Sequence, residues 1–554
     1  MSPAASGSQP DLFGQDGVAS DRQRRTRASM VWAAWGDALG FISELVDEAG
    51  PRRRTAGVPL DAPMPWTRRV GGRGGVNVPL PAGCWSDDTQ LRMAVARAIS
   101  SHGFDVDAFA RIEMPVWPSY ALGGGRASKA AASNLGRSDV LWFANTFSGW
   151  VDAGGNGAAM RVQPHVWASG PLAGYELDVI KDAVSTHGHP RAIVGACFHA
   201  FTVAHAMSTG AAPDVNQCMD FAADVGRLIS VIDSEPNLGG TWRELWEKET
   251  GGDLAHAWRE TVDEVSRGIE DARSALSSSK PLAERYHGLI SELHLDTEKE
   301  RGSGAMTPVA AVALGWLELD VESSLRIAAN EVGSDTDTIA TMAGAVLGAT
   351  DAGSLPAVAP LDVGFLLAEA DRLAAIASGV AIASYPYPDL LTWNAPAAQA
   401  DALARSTKGE IEVRGLGPVL EIDDSVMIDA KGVFAWQWVR TVPGQTLLIK
   451  RREQLPDAPT GDVEVPLRSV RTRSTQKGRV RDTAPSATPD PTQGRLAQPH
   501  GIDRGLNIDT ALQYALENIE DNEAVGYVVR RAARDGTVEQ VIALMTALRG
   551  PLRR

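Results

Sequence analysis

The chain has little cysteine, few aromatic residues and no excess of positive charge. Its three cysteines, Cys84, Cys197 and Cys218, have neither the spacing of a zinc site nor that of a disulfide framework. The net charge of −16 argues against a surface that coats nucleic acid. No apolar run reaches transmembrane length, and the N-terminal residues lack the apolar core of a signal peptide. These absences predict a cytoplasmic protein without a membrane partner.

Composition divides the sequence into five predicted segments. Residues 1–27 are rich in Ser, Gly, Gln and Asp and are predicted to form a disordered tail. Apolar residues recur at helical spacing through residues 28–400, which predicts an all-α domain. Alternating apolar and polar residues indicate a small β-rich module over residues 401–467. Residues 468–505 have the composition of a basic, proline-rich linker, and residues 506–554 have the pattern of a short helical C-terminal unit.

The basic residues of the linker have two interpretations. Arginine and lysine recur between Arg468 and Arg481, and such a run either contacts nucleic acid or an acidic partner or is solvated charge. Solvated charge is the commoner explanation. Nucleic-acid binding through the linker is therefore retained only as an alternative.

Two short clusters of acidic and hydroxyl residues, each followed by an apolar helical segment, are the main functional clue. Carboxylates this close together repel one another, and the usual remedies are solvent exposure, protonation or a bound cation. The combined donor set contains only oxygen, which suits Mg²⁺ or Mn²⁺ better than zinc. The candidate metal ligands are Ser86, Asp87, Asp88, Asp335, Asp337 and Thr338.

Helix capping is the alternative explanation for either cluster alone. Asp, Ser and Thr are favoured at the N-cap, and acids in the first turn suit the helix dipole. Capping accounts for one acid at each helix and leaves the second unexplained. In the second helix Gly344 and Gly348 lie one turn apart, which predicts the close approach of another backbone. Asp37 is expected either to support the metal ligands or to cap a helix.

Six short motifs follow one another between about residue 29 and about residue 353. They are Gly36–Gly40 with Glu44, Ser86–Thr89, Gly155–Arg161 with Pro164, Thr186–Pro190, Gly302–Gly304 and Ser334–Thr338. In this order they resemble the ADP-ribosylglycohydrolases, a family that includes the dinitrogenase reductase-activating type. Two positions depart from the family pattern. Ser86 stands where Thr is usual and keeps the hydroxyl, and Ser334 stands where Gly is usual.

The resemblance implies a helical domain that holds two neighbouring divalent cations, Mg²⁺ or Mn²⁺, at the floor of a cleft. The six candidate ligands would surround the ions, and Asp337 would bridge them. Four carboxylates against two divalent cations leave the site close to neutral, which is a physical reason for so many acids in one place.

The resemblance also implies hydrolysis of the glycosidic bond that links ADP-ribose to a modified protein, a nucleic acid or a small conjugate. Glu44 matches an acidic residue on a mobile loop near that bond, and its alternative is an exposed acid in an acidic stretch. The catalytic candidates are Glu44, Asp87, Asp88 and Asp337. Which carboxylate acts as the base is left open.

The glycine-rich loop at residues 154–157 has the composition of a loop whose backbone amides approach a diphosphate. By resemblance it holds the phosphates and the proximal ribose, and an ordinary surface turn is the alternative. His187 is expected beside the ligand, with a structural histidine as the alternative, whereas His189 is expected to end a loop. The candidate substrate-binding residues are Gly155, Asn156, Gly157, Met160, Arg161 and His187.

Two other functions fit parts of the sequence. The first is a non-catalytic ADP-ribose-binding module whose C-terminal units mediate interactions, and the retained acid pairs and Glu44 disfavour it. The second is another two-metal hydrolase that acts on phosphoesters, which the bare carboxylates allow. The order of the motifs disfavours that second function.

Overall fold

The computed structural model describes residues 20–47, 49–170 and 174–459, and thirteen separate positions between residues 512 and 548. The predicted linker and most of the predicted disordered tail lie outside the described residues. The chain forms two compact units, Met1–Ser469 and Val470–Arg554.

The first unit is largely helical, as the apolar periodicity predicts. Its N-terminal half contains α1 (Asp21–Gly40), α2 (Gly50–Arg54), α3 (Asp87–Arg97), α4 (Val106–Ala108), α5 (Met114–Val116), α6 (Arg126–Leu135), α7 (Gln163–Ala168), α8 (Glu176–Val184) and α9 (Pro190–Thr209). It continues with α10 (Val215–Arg227), α11 (Ile229–Ser234), α12 (Arg243–Thr250), α13 (Leu254–Leu276), α14 (Leu282–Glu292), α15 (Met306–Ala313), α16 (Val321–Asn330), α17 (Thr336–Thr350) and α18 (Val363–Ala377). Short 3-10 and π turns connect several of these helices.

Two small hairpins interrupt the helices, so the domain is largely rather than wholly α-helical. They pair β1 (Trp66–Val70) with β2 (Val76–Leu80) and β3 (Ile99–Ser100) with β4 (Gly103–Phe104). The sequence prediction of an all-α domain missed both hairpins. Because a two-stranded hairpin is marginal by itself, packing against the helices is what stabilises each of them.

A five-stranded antiparallel sheet follows the helices, in the region predicted to be β-rich. Its strands lie in sequence order: β5 (Leu403–Arg405), β6 (Ile411–Val413), β7 (Gly417–Ile428), β8 (Ala435–Thr441) and β9 (Thr446–Arg451). Trp436, Val439 and Leu447 belong to the same hydrophobic core as the helices. The sheet therefore packs on the helical body through a continuous apolar interior.

Helices α1 and α17 pack antiparallel along their length, and glycines allow their backbones to touch. A Cβ atom on Gly344 would lie 2.4 Å from the Trp32 carbonyl oxygen, and one on Gly348 would lie 2.7 Å from the Ala28 carbonyl oxygen. The predicted close approach at these two glycines is confirmed. On the opposite helix, a Cβ atom on Gly36 would lie 2.4 Å from the Ala340 carbonyl oxygen.

Helix α1 begins earlier than the predicted end of the disordered tail at residue 27. Its N-cap is Ser20, whose hydroxyl accepts a hydrogen bond from the Gln23 amide. Arg22 donates to three carbonyls, including those of Val166 and Trp167, and Arg27 pairs with Asp371. Long-range contacts of this kind order a polar segment whose composition alone predicts disorder.

Helix α9 corrects the expectation that no segment reaches transmembrane length. By length and composition Pro190–Thr209 is able to cross a membrane, but 78% of its most apolar window is buried inside the protein. It therefore serves as a core helix of the first unit.

The second unit is helical at every position that the structure describes. Ala515, Val528, Ala532, Leu544 and Leu548 form a small buried apolar cluster of their own. The predicted helical character of the C-terminal segment is thus observed at these positions.

We expect Gly344→Ala to lower the free energy of unfolding by about 1–3 kcal/mol, because the added methyl group must displace the α1 backbone. Gly364→Ala in α18 is the matched control, since a Cβ atom there would meet nothing within 4 Å. That substitution should leave stability unchanged or raise it by up to about 1 kcal/mol. Urea unfolding measures both variants, and equal midpoints would contradict the packing described for α1 and α17.

Candidate active site

A cavity of about 890 Å³ opens where the sequence motifs converge. Its lining includes eleven of the thirteen residues that the sequence analysis proposed: Glu44, Asp87, Asp88, Gly155, Asn156, Gly157, Met160, His187, Asp335, Asp337 and Thr338. Ser86 and Arg161 lie behind the wall, and both are fully buried. Motifs separated by up to about three hundred residues in sequence thus share one site.

The first acidic cluster forms the N-terminus of α3. Ser86 is the N-cap, and its hydroxyl accepts from the Asp88 amide at 3.2 Å. Buried Asp37, inside α1, accepts from the Ser86 amide at 2.7 Å and from the Thr89 amide at 2.9 Å. Ser86 therefore caps α3, Asp37 holds the backbone of the same N-terminus, and Asp87 and Asp88 are left to line the cavity.

The second acidic cluster forms the N-terminus of α17. Asp335 occupies the N-cap position without a side-chain capping bond, and its carboxylate accepts from the Asn156 side-chain amide at 2.8 Å. Asp337 lies in the first turn, where one carboxylate oxygen accepts from the Thr338 amide. The two clusters therefore meet at the N-termini of two helices, where the helix dipoles favour negative charge.

Burial and mutual repulsion raise the pKa values of the carboxyl groups at this junction. Burial raises the pKa of Asp87 to about 7, with a further contribution from Glu44. Burial, together with neighbouring carboxylates, also raises the pKa of Asp88 and that of Asp337 well above the usual range. Ionising all of these groups at once is costly unless positive charge enters the site.

The donor set fits hard divalent cations by its chemistry. Every side chain at the junction offers oxygen, and the buried Asp88 Oδ2 atom has no hydrogen-bond partner in the described part of the chain. Among the described residues, however, no group of three or more His, Cys, Asp or Glu side chains is arranged to hold a metal ion. The predicted dinuclear centre is therefore not established by the geometry, and it belongs to the proposal below.

Buried Arg92 supplies positive charge behind the carboxylates. Its guanidinium donates to the Thr341 hydroxyl at 2.6 Å, to the Gln163 side chain at 3.0 Å and to the Met160 carbonyl at 3.1 Å. Burial lowers the pKa of Arg92 to about 10, so it remains charged at neutral pH. It ties α3, α17 and the segment after the glycine-rich loop into one rigid support.

Glu44 points into the cavity and is held there by the β1–β2 hairpin. Arg68 pairs with its carboxylate at 3.2 Å, and the Arg68 guanidinium lies 4.2 Å from the centre of the Phe41 ring. Arg54 donates to the carbonyls of Ile42 and Glu44. Burial raises the pKa of Glu44, while Arg68 opposes that rise. Glu44 is therefore a half-buried, oriented acid rather than one member of an exposed acidic stretch.

The glycine-rich loop pairs with a second glycine turn beside it. The Asn156 amide donates to the Gly302 carbonyl at 3.0 Å, and the Gly304 amide donates to the Gly154 carbonyl at 2.9 Å. A Cβ atom on Gly304 would lie 2.8 Å from two carbonyl oxygens of the facing loop, so this position requires glycine. The loop is thus a paired wall of the cavity and not a free surface turn.

The two histidines of the Thr186–Pro190 motif have different positions. His187 lies on the cavity wall, only 2% exposed. His189 ends the loop, as predicted, and its ring accepts from the Arg191 amide at the start of α9. Arg161, proposed as a substrate-binding residue, instead pairs with Asp182 in the interior at 2.9 Å. Its guanidinium therefore supports the wall from behind.

Two features of the cavity were missed in the sequence. A Cβ atom on Gly123 would lie 2.1 Å from Asp87 Oδ1, so position 123 must be glycine for Asp87 to occupy its position. Three consecutive glycines were the available signal. Arg126, Lys299 and Arg301 also line the cavity, but isolated surface cations carry no pattern that distinguishes them.

Comparison with known proteins agrees with this geometry. The sequence matches the family model of ADP-ribosylglycohydrolases over residues 19–388. The chain belongs to the ADP-ribosylglycohydrolase family. A solved structure described as an "ADP-ribosylglycohydrolase-related protein complex" is similar with 20% identity and a TM-score of 0.42, covering 64% of this chain and 99% of that one. The search of curated proteins found no match.

Membership of the ADP-ribosylglycohydrolase family gives the convergence of motifs a common explanation. The matched region ends before β5, so the five-stranded sheet lies outside the region that matches the family model. All residues that line the cavity lie within the matched region.

We expect Arg68→Gln to free the Glu44 loop, because it removes an ion pair and a cation–π contact together. Amide hydrogen exchange over residues 42–46 should accelerate about tenfold, the effect of losing about 1.4 kcal/mol of local stability. Arg69→Gln is the matched control, since the adjacent side chain lies on the opposite face of β1 and bonds to the Gly72 and Arg73 carbonyls. Equal exchange in the two variants would show that Arg68 does not hold the loop.

We expect Asp337→Asn to raise the free energy of unfolding without added ions by on the order of 1–3 kcal/mol, because one buried repelling charge is removed. The same variant should lose the stabilisation that Mg²⁺ or Mn²⁺ gives the wild type, which is about 2.7 kcal/mol at a hundredfold excess over Kd. Thermal unfolding with and without ions measures both effects. Asp351 is exposed, so Asp351→Asn is the control and should behave as wild type. If Asp337→Asn lowered stability and Mg²⁺ or Mn²⁺ still stabilised the variant, Asp337 would not be a cation ligand.

Proposed function

We propose that this protein hydrolyses the glycosidic bond that links ADP-ribose to a modified protein, a nucleic acid or a small conjugate, and that the reaction requires Mg²⁺ or Mn²⁺. The observation that carries the proposal is the meeting of Glu44, both acidic clusters and the paired glycine turns on one cavity. Membership of the ADP-ribosylglycohydrolase family supports the same reaction.

Six residues would hold two cations, namely Ser86, Asp87, Asp88, Asp335, Asp337 and Thr338. When bound, the ions would neutralise the carboxylates and polarise sugar hydroxyls of the substrate. Asn156 orients Asp335, and Asp37 orients the segment that carries Asp87 and Asp88. The protein thus presents its oxygen donors from rigid helix N-termini.

Glu44 is the acid we assign to proton transfer. It lies in the cavity but outside the two clusters, so its carboxylate is not needed as a cation ligand. Burial raises the pKa of Glu44, which makes it a better proton acceptor for the attacking water. Arg68 fixes its direction, as general acid–base catalysis at an anomeric carbon requires.

The paired glycine turns suit the diphosphate end of the ligand. Their backbones approach the cavity without side chains, and Arg126, Lys299 and Arg301 add positive charge to the same cavity. The acidic junction and these cations give the cavity both of the electrostatic environments that ADP-ribose requires.

The test is release of free ADP-ribose from arginine-linked, serine-linked and nucleic-acid-linked substrates, with Mg²⁺ or Mn²⁺ present. We expect release from at least one linkage, and a loss of at least a hundredfold in the Asp335→Ala/Asp337→Ala double variant and in chelator. Glu44→Gln should lose a similar factor while still binding ADP-ribose, because the change removes a proton acceptor and keeps the size of the side chain. Asp351 is exposed and lies outside the cavity, so Asp351→Ala controls for the effect of removing any one carboxylate.

Absence of release from every linkage, together with tight ADP-ribose binding in calorimetry, would replace the hydrolase with a non-catalytic ADP-ribose-binding module. Release from phosphoester substrates instead would identify a two-metal phosphoesterase.

A further inference from the structure

Behind the cavity wall, a buried hydrogen-bond chain leads from Asp182 to His187. Arg161 donates through Nε to Asp182 Oδ1 at 2.9 Å and through Nη2 to the Thr186 hydroxyl at 2.7 Å. The Thr186 hydroxyl lies 2.8 Å from His187 Nδ1. Arg161, Asp182 and Thr186 are each at most 1% exposed, so water does not compete for these bonds.

The direction of the bonds in this chain follows from the donors available. Arginine carries only donors, so Thr186 Oγ1 must accept from Arg161, and its single proton must go elsewhere. The two acceptors within reach are His187 Nδ1 at 2.8 Å and the Ala183 carbonyl at 3.5 Å. The second distance exceeds the normal range for a hydroxyl donor. Thr186 therefore donates to His187 Nδ1, which must be unprotonated to accept.

The other ring nitrogen of His187 faces the cavity. His187 Nε2 would lie 3.2 Å from a Cβ atom on Gly157, a cavity-lining residue, and it has no hydrogen-bond partner among the residues described. A neutral histidine that accepts at Nδ1 carries its proton at Nε2. Burial, with help from the charge of Arg161, lowers the pKa of His187 to about 3, so the ring is neutral throughout the physiological range.

We propose that Arg161 and Thr186 fix the tautomer of His187, so that its Nε2–H is a permanent hydrogen-bond donor to an acceptor oxygen of the bound ligand. Arg161 and Thr186 are positioning residues, because both act through His187 and neither lines the cavity. The identity of the ligand as ADP-ribose rests on the proposed function, whereas the tautomer does not.

The Nε2–H donor of His187 favours ligands that place an acceptor oxygen at this point of the cavity. A phosphate or ribose oxygen satisfies the donor, but an ammonium or amide N–H group leaves it unpaired, which is costly in a buried site. Because the pKa of His187 is about 3, its ring stays neutral near pH 6.5, where an ordinary histidine titrates, and its own contribution to affinity does not change there.

The test is nitrogen-15 NMR of histidine-labelled, ligand-free protein, compared among wild type, Thr186→Val and Thr186→Ser. The His187 signals are identified by their loss in His187→Gln among the ten histidines of the chain. We expect wild type and Thr186→Ser to show an unprotonated Nδ1 and a protonated Nε2, and Thr186→Val to show a mixture of tautomers. In calorimetry, Thr186→Val should bind ADP-ribose about tenfold more weakly than wild type, and Thr186→Ser within about twofold of it.

A proton on Nδ1 in the wild type would overturn the proposal, and so would a Thr186→Val spectrum identical to that of wild type. If Thr186→Val changed the tautomer but left the affinity for ADP-ribose unchanged, only the hydrogen bond from His187 to the ligand would be overturned. Because the spectra need no ligand, a protein that failed to bind ADP-ribose would refute the proposed function and leave the tautomer readable.

Discussion

The cost of burying several carboxylates side by side is the constraint around which the rest of the site is organised. Glu44, Asp87, Asp88 and Asp337 all have raised pKa values, and burial is the largest cause of each. The protein offsets this cost only in part, through Arg68, Arg92 and two helix N-termini. Carboxyl groups with pKa values raised in this way are typical of a functional centre.

The packing of α1 against α17 also sets the geometry of this cluster of carboxylates. The glycines of α1 and α17 allow the two backbones to touch, and a Cβ atom on Gly40 would lie 2.5 Å from Asp337 Cα. The same helix pair therefore sets the distance between Asp337 and the Asp37 that holds the α3 N-terminus. A substitution at one of these glycines would therefore change the packing of the two helices and also move the carboxylates.

Periodicity is a local signal, and it predicted the helices and the β-rich region. The ordered motifs that resemble the family predicted eleven of the residues that line the cavity. Neither signal predicted what depends on three-dimensional contacts. The Arg68–Glu44 pair joins a hairpin to a loop 24 positions away, and no spacing rule connects the two residues. Arg161 sits in a ligand-binding motif yet points inward, because Asp182 and Thr186 offer it a better set of acceptors than the cavity does. Residues 21–27 look disordered by composition and become helical through distant partners.

Diffraction from crystals soaked in Mn²⁺ and recorded at the manganese absorption edge would locate the ions without assuming any activity. We expect anomalous density between Asp87 and Asp88 on one side and Asp335 and Asp337 on the other, and its loss in Asp337→Asn. Anomalous density elsewhere, or none at the junction in crystals whose protein is saturated with Mn²⁺ in solution, would contradict the proposed cation site.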